Sequence, residues 1–342
     1  MTTPSENQPP LPRIDYGGLR ALPGVLRAAE RRRIFVIQGA GARYRERLEL
    51  ELTGCDVMWF SEARRHVPRE LVERAAQELE SWGGDTVLSV GGGSATGLGK
   101  ALRLERDFYF VAVPTTYAGS ELTSLYGITS ASGKRTGRDV RVVPNVVLYD
   151  VGLTLDMPSV LSTTSLMNAL AHPLSALSTA ALEPGPFAAA LEAASIACRA
   201  ILGLLEDPRS SCSRHAAFEA TVAAARVLAS SPVGLHHRLA HLLGGHFDLD
   251  HAGLHSVLLP HSLDWMSKQT PEIHAAVVVR LGNAELASSL LDWLRRAGAA
   301  TSLEALGVAP GPFQALLEAH PELPRSVLEA AYRGQRSSPI HP

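Results

Sequence analysis

From residue 19 to residue 150, apolar positions alternate between helical spacing and short continuous runs. Residues 19–33, LRALPGVLRAAERRR, have the spacing of an amphipathic helix, and IFVIQGAG then reads as a buried strand ending in a glycine turn. The same reading gives a helix over 42–52, a strand over 56–60, a helix over 68–82 and a strand, TVLSV, over 86–90. A further strand, FYFVAVP, covers 108–114, residues 125–129 form one arm of a hairpin turned at SASGK, and VVLYD closes the sheet at 146–150. Strand alternating with helix predicts a parallel, doubly wound α/β sheet. From about residue 157 the chain is rich in Ala and Leu at helical spacing and has no Val/Ile strand runs, which predicts an all-helical second domain. The organisation expected is a flexible leader over 1–13, an α/β domain over 14–156 and a helical domain over 157–342, with the active cleft between sheet edge and helices.

Composition narrows the function classes. With 46% hydrophobic and 19% charged side chains, 342 residues suffice for two globular domains. The 32 basic residues balance 34 acidic ones without a dense Lys/Arg tract, which argues against nucleic acid or a membrane surface as partner. No run reaches the roughly 18 apolar residues of a membrane span, and the start, MTTPSENQPPLPR, lacks a signal-peptide core. Cys55, Cys198 and Cys212 fall in no paired pattern, so neither a disulfide framework nor a structural zinc site is indicated. The expectation is a cytoplasmic enzyme acting on a small molecule.

Two stretches carry chemistry. In GGGSATGLGKALRL, Gly91, Gly92 and Gly93 follow a buried strand and Ser94 opens a helix, an arrangement that suits a pyrophosphate. The loop TTYAGSE adds Thr115, Thr116 and Ser120 at the same sheet edge, with hydroxyls sized for phosphate or ribose. Lys134 and, behind it, Arg138, in the hairpin GKRTGRD, are candidates for a cofactor phosphate or a substrate carboxylate. The second stretch, HHRLAHLLGGHFDLDHAGLHSVLLPH, holds seven of the chain's 13 histidines. His237 and His241 are four apart, as are Asn168 and His172 in SLMNALAHPL, so each pair shares a helix face, and His251 follows on a loop. Such a set suits a metal site or an acid–base site. Iron prefers an anionic ligand where Asn168 offers a neutral amide, while three imidazoles could still hold zinc.

Together GGGSATGLGKA, VPTTYAGSE, GKRTGRDVRVVPNVVLYD, SLMNALAHPL, the histidine stretch and AAYRGQR resemble the iron-containing alcohol dehydrogenase superfamily, and within it the maleylacetate reductase branch. The resemblance spans about residues 16–335. It implies a dehydroquinate synthase-like architecture with a Rossmann-like, dinucleotide-binding α/β domain and an all-helical second domain, NADH or NADPH as cofactor, a homodimer, and hydride transfer to the double bond of maleylacetate, giving 3-oxoadipate in aromatic-compound degradation. It implies that Gly91, Gly92, Gly93 and Ser94 hold the pyrophosphate, and that Thr115, Thr116 and Ser120 line phosphate and nicotinamide. The iron ligands of the superfamily would fall at Asn168, His172, His237 and His251. Asn168 and the reductase branch both point away from metal, leaving His172, His237, His241 and His251 to orient or protonate substrate, with His241 foremost.

Two departures stand out. HPLSAL puts Pro173 and Ser175 where the family continues with a small or branched residue and a Glu, and Pro173 predicts a helix that kinks or begins there. QGAGAR, after the first strand, lacks the acid that would favour an unphosphorylated ribose, so both nicotinamide cofactors stay open. Two alternatives remain at this stage: a zinc-dependent alcohol or aldehyde oxidoreductase, and a redox-silent homologue, lyase or binding protein.

Overall fold

The structure is a computed structural model that describes residues 11–131, 133–179, 182–231 and 234–335, and only the backbone of Lys134. The leader before residue 11 therefore lies outside the described residues. Two compact units divide the chain, Met1–Asp156 and Met157–Pro342.

The first unit is a six-stranded parallel sheet with helices between its strands. In chain order these are β1 (Arg13–Asp15), α1 (Leu22–Ala28), β2 (Arg33–Ile37), α2 (Arg45–Glu51), β3 (Asp56–Phe60), α3 (Arg69–Trp82), β4 (Thr86–Gly91), α4 (Gly93–Glu105), β5 (Tyr109–Pro114), an antiparallel hairpin β6 (Leu125–Ser130) and β7 (Gly133–Arg138), and β8 (Val146–Leu148). The spatial order is β1-β8-β5-β4-β2-β3. The central strands are apolar on both faces because helices cover both, and Ile34, Val36, Leu88, Val90, Val111 and Val113 sit in one buried cluster. Helix α3 buries Leu71, Val72, Ala75 and Leu79 on one face and stops at Gly83, whose φ of +73 is the left-handed C-cap conformation. The chain steps from β2 outward to β3 and returns on the other side to β4, so the loops after β2 and β4 leave the sheet at a topological switch point.

The second unit contains no strand among the described residues. It comprises α5 (Ser159–Leu177), α6 (Pro184–Glu206), α7 (Ser211–Ser230), α8 (Leu235–Phe247), α9 (His251–Gln269), α10 (Pro271–Leu281), α11 (Leu286–Ala297), α12 (Pro310–Ala319) and α13 (Arg325–Arg333). Helix α5 is buried along nearly its whole length, packed against α6, α7, α8, α9 and α11. Arg214 of α7 is fully buried and ties the start of this unit together, donating to Ser162 Oγ and to the carbonyls of Met157 and Pro208.

Four sequence expectations are corrected. β1, which starts on the last residue of the expected leader, is an edge strand, so VVLYD does not lie at the edge of the sheet; β8 lies between β5 and β1. Helix α5 does not begin at Pro173 but runs through it; packing on all sides outweighs the roughly 3 kcal/mol penalty of an interior proline. His251 is the first residue of α9 and not a loop residue, because Asp250 accepts from the Gly253 N–H at 2.9 Å and caps the helix. Helix α6 is long and apolar enough to cross a membrane by length and composition, which no run was expected to be, and half of that window is buried in the fold.

Candidate active site

Strand β4 ends at Gly91 with φ +149, a conformation that suits glycine, and Gly92 is the N-cap of α4. No side chain caps this helix end, so its first N–H groups and the positive end of its dipole are left for a ligand. Register sets Gly91 beside Pro114, and the Thr115 N–H donates to the Gly91 carbonyl at 3.0 Å. A Cβ on Gly92 would stand 3.0 Å from Thr116 Cγ2, so the glycine turn and the hydroxyl-rich loop already touch. A Cβ on Gly93 would meet nothing within 4 Å, which leaves the outer face of the turn open. Ser94, Thr116 and Ser120 are half-buried and Thr115 is buried. Donors without competing side chains on an open turn fit a pyrophosphate. Lys134 pairs with Thr129 in the hairpin, and its side chain lies outside the described residues.

The second unit gathers imidazoles from α5, α8 and α9. His172 Nδ1 and His237 Nε2 share a hydrogen bond of 2.8 Å, with the rings stacked at 4.6 Å. His241 and His251, both exposed, have ring centres 6.4 Å apart. His255 joins these two pairs: its ring lies 4.3 Å from that of His251 and 5.0 Å from that of His237. Behind it, His236 Nε2 meets His255 Nδ1 at 2.8 Å, and His236 Nδ1 meets Ser262 Oγ at 3.1 Å.

That last chain determines its own tautomers. The Ser262 hydroxyl donates to the Leu258 carbonyl at 2.9 Å, so its oxygen accepts from His236 Nδ1–H. His236 Nε2 must then accept from His255 Nδ1–H, and His255 Nε2 is left as a bare acceptor, buried and without a partner. The His172–His237 pair is constrained differently. Two neutral imidazoles that share one hydrogen bond retain one other N–H between them, on His172 Nε2 or on His237 Nδ1. Neutral is the state that burial enforces: it holds His172, His236 and His255 well below the ordinary imidazole range, with neighbouring imidazoles adding to the effect, and pushes His237 down to about 4. His172 and His237 are therefore hydrogen-bonding groups at neutral pH rather than charged acids.

Comparison with known proteins gives the family. The family description Iron-containing alcohol dehydrogenase matches residues 12–151, and Fe-containing alcohol dehydrogenase family, C-terminal, matches residues 162–331. A maleylacetate reductase of Burkholderia cepacia is 39% identical over 249 residues, 73% of this chain and 71% of that protein. The crystal structure of maleylacetate reductase from Rhizobium sp. strain MTP-10005 superposes with a TM-score of 0.86 at 33% identity, covering 98% of this chain and 100% of that one. That of maleylacetate reductase from Agrobacterium tumefaciens gives 0.87 at 32% identity, with the same coverage. The chain belongs to the iron-containing alcohol dehydrogenase family, in its maleylacetate reductase branch. It is an oxidoreductase with the dehydroquinate synthase-like two-part fold.

The family's name raises the question of iron. The positions that the resemblance assigns to the iron ligands, Asn168, His172, His237 and His251, offer one amide and three imidazoles with no anion. His172 Nδ1 and His237 Nε2 are engaged with each other, and among the described residues no three His, Cys, Asp or Glu side chains are grouped to hold a metal ion. Asn168 Oδ1 is buried without a hydrogen-bond partner, an acceptor for an O–H or N–H that brings no charge. This donor set does not fit iron.

Two residues of the imidazole cluster escaped the sequence reading, His255 and His236. The signal for His255 was present: with Asp250 as N-cap, His251 and His255 have the same i,i+4 spacing that linked His237 to His241. His236 gave no such signal, since its role depends on Ser262 and His255 across the helix interface. His246, by contrast, is exposed against Phe247, outside the cluster. Cys198 is buried with its thiol pushed up to about 12, which rules it out as a thiolate nucleophile at neutral pH.

Proposed function

We propose that this chain reduces the carbon–carbon double bond of maleylacetate, or of a closely related unsaturated oxo-acid, with NADH or NADPH, to give 3-oxoadipate or its analogue. One observation carries the reading: the neutral amide Asn168 stands where a metal enzyme of the family needs an anionic ligand, on the same helix as His172, which is hydrogen-bonded to His237. The maleylacetate reductases among its relatives support the substrate. They give no support to the zinc alcohol oxidoreductase or to the redox-silent homologue.

In this reading Gly91, Gly92, Gly93 and Ser94 hold the pyrophosphate through backbone N–H groups, and Thr115, Thr116 and Ser120 contact phosphate and nicotinamide through their hydroxyls. Lys134 is proposed as a partner for a cofactor phosphate. A reduced nicotinamide, when bound, supplies the hydride. As the alkene accepts it, negative charge develops on the conjugated carbonyl oxygen, and the remaining N–H of the His172–His237 pair is the donor for that oxygen. Asn168 Oδ1 and His255 Nε2 are the acceptors that orient donor groups around it. His241, with His251 beside it, brings the proton that completes the two-electron reduction at carbon. Apart from the hydride, each step in this reading is a hydrogen bond or a proton transfer made by this chain's own residues. The reading also takes the protein as a cytoplasmic homodimer serving aromatic-compound breakdown, a state that light scattering checks.

The test is cofactor absorbance at 340 nm, with maleylacetate set against simple alcohols and aldehydes. Consumption of NADH or NADPH with maleylacetate, undiminished after chelator treatment, is the expected result. Turnover of alcohols alone, dependent on added zinc, or no turnover with either cofactor, would remove the proposal.

A further inference from the structure

Helix α4 carries a second device about two turns beyond the glycine turn. Lys100 is 2% exposed, and its Nζ donates to the Ser120 carbonyl at 2.7 Å, the Thr123 carbonyl at 2.8 Å and Thr123 Oγ1 at 3.3 Å. The Thr123 hydroxyl donates to the Ser120 carbonyl at 3.1 Å, so its oxygen faces Lys100 as an acceptor. Three acceptors converge on one nitrogen, and only the ammonium form has three N–H groups to meet them. A neutral amine would turn its lone pair on one of the three. Glu121, also 2% exposed, supplies the countercharge while accepting from the Tyr149 hydroxyl at 2.8 Å.

We propose that Lys100 is a positioning residue for the dinucleotide: its ammonium form fixes the Ser120–Thr123 end of the hydroxyl-rich loop, and a bound anionic cofactor favours that form. The inference rests on the dinucleotide reading given above. One end of α4 meets the pyrophosphate and its middle holds the loop that supplies Ser120, so occupancy of the turn and the charge of Lys100 act on one another over roughly 10 Å. Coupling of this kind is reciprocal.

The charge is poised to respond. Burial lowers Lys100 to about 7, with Glu121 pulling the other way, and burial raises the Glu121 carboxyl. Other charged groups on elements packed against α4 are engaged elsewhere: Arg69 of α3 bridges Glu73 and Glu105, Arg141 holds Asp139, and Arg103 binds Asn145 and Asp107. Tyr126 of β6 packs on Gly137, Arg33 of β2 covers Trp82, and β4 and the buried part of β5 carry no titratable side chain.

Calorimetric titration of the full-length protein with NADH, in buffers of different ionisation enthalpy, tests this; NADPH replaces NADH if only it binds. The wild type should take up a fraction of a proton on binding at pH 7.5–8, and its affinity should fall about tenfold between pH 6.5 and 9. Lys100→Met should abolish the uptake and flatten the pH profile. Glu121→Gln keeps the acceptor for Tyr149 but removes the countercharge, and should move the fall in affinity to lower pH by about one unit. Binding without proton uptake, or uptake that persists in a folded Lys100→Met, overturns the proposal alone. If Lys100→Met fails to fold, an unmoved Glu121→Gln profile overturns it. Failure of the wild type to bind either dinucleotide at any pH overturns the dinucleotide reading and this proposal with it.

Discussion

His172 Nδ1 and His237 Nε2 meet at 2.8 Å across 65 residues of chain, and each ring keeps its other nitrogen outside that bond. The pair is one hydrogen-bonding unit, and its behaviour on mutation follows from that. His172→Ala and His237→Ala should each lower kcat/KM by about a hundredfold, and the double variant should lose little more than either, because groups acting as one are non-additive. Steady-state kinetics of the three variants checks this; losses that multiply would mean two independent roles.

His241 is exposed, four residues beyond His237 on α8, with His251 beside it. His241→Ala is expected to slow turnover by roughly two to four orders of magnitude while the dissociation constant for NADH stays put. A variant as fast as the wild type would return this ring to the status of an ordinary surface side chain.

Asn168 shares a face of α5 with His172 and leaves its Oδ1 without a partner. Asn168→Asp supplies the anion that the donor set lacks. After dialysis against zinc or ferrous ion, the variant should hold close to one metal per chain by elemental analysis, and the wild type should hold little. Equal loading of both proteins would refute the donor-set argument.

The buried imidazoles also set the acid limb of stability. His172, His236, His237, His255 and His261 all titrate lower in the folded chain than the usual 6.5, with His237 and His261 at about 4. The unfolded chain therefore binds more protons below pH 6.5, and folding free energy is lost as pH falls from there toward 4. Each ring contributes a slope of up to about 1.4 kcal/mol per pH unit. Urea midpoints from pH 7.5 to pH 4.5 should drop steeply below 6.5 and be flat above it; a midpoint insensitive to pH 5 would contradict the burial of these rings.

What the sequence disclosed was whatever rests on local pattern. TVLSV is fully buried as β4 because its apolar run has no polar face to expose, and α3 follows its i,i+4 spacing to a glycine stop. β1 was invisible: RID carries no strand signal, and only pairing with β8 defines it. Pro173 misled for the opposite reason, since a strong local rule gave way to packing around α5. At the site, the crowding of histidines was legible, and so was the amide at position 168. The roles of His236 and His255 were not, because a tautomer is set by a chain of hydrogen bonds through Ser262 that exists only once α8 lies against α9.

The most direct measurement is a single turnover of maleylacetate with reduced nicotinamide cofactor carrying deuterium at the transferred position, run in the presence of chelator. The predicted product is 3-oxoadipate with one deuterium on a carbon of the former double bond. Unreacted maleylacetate, or deuterium on a carbinol carbon formed by reduction of the ketone, would contradict the account.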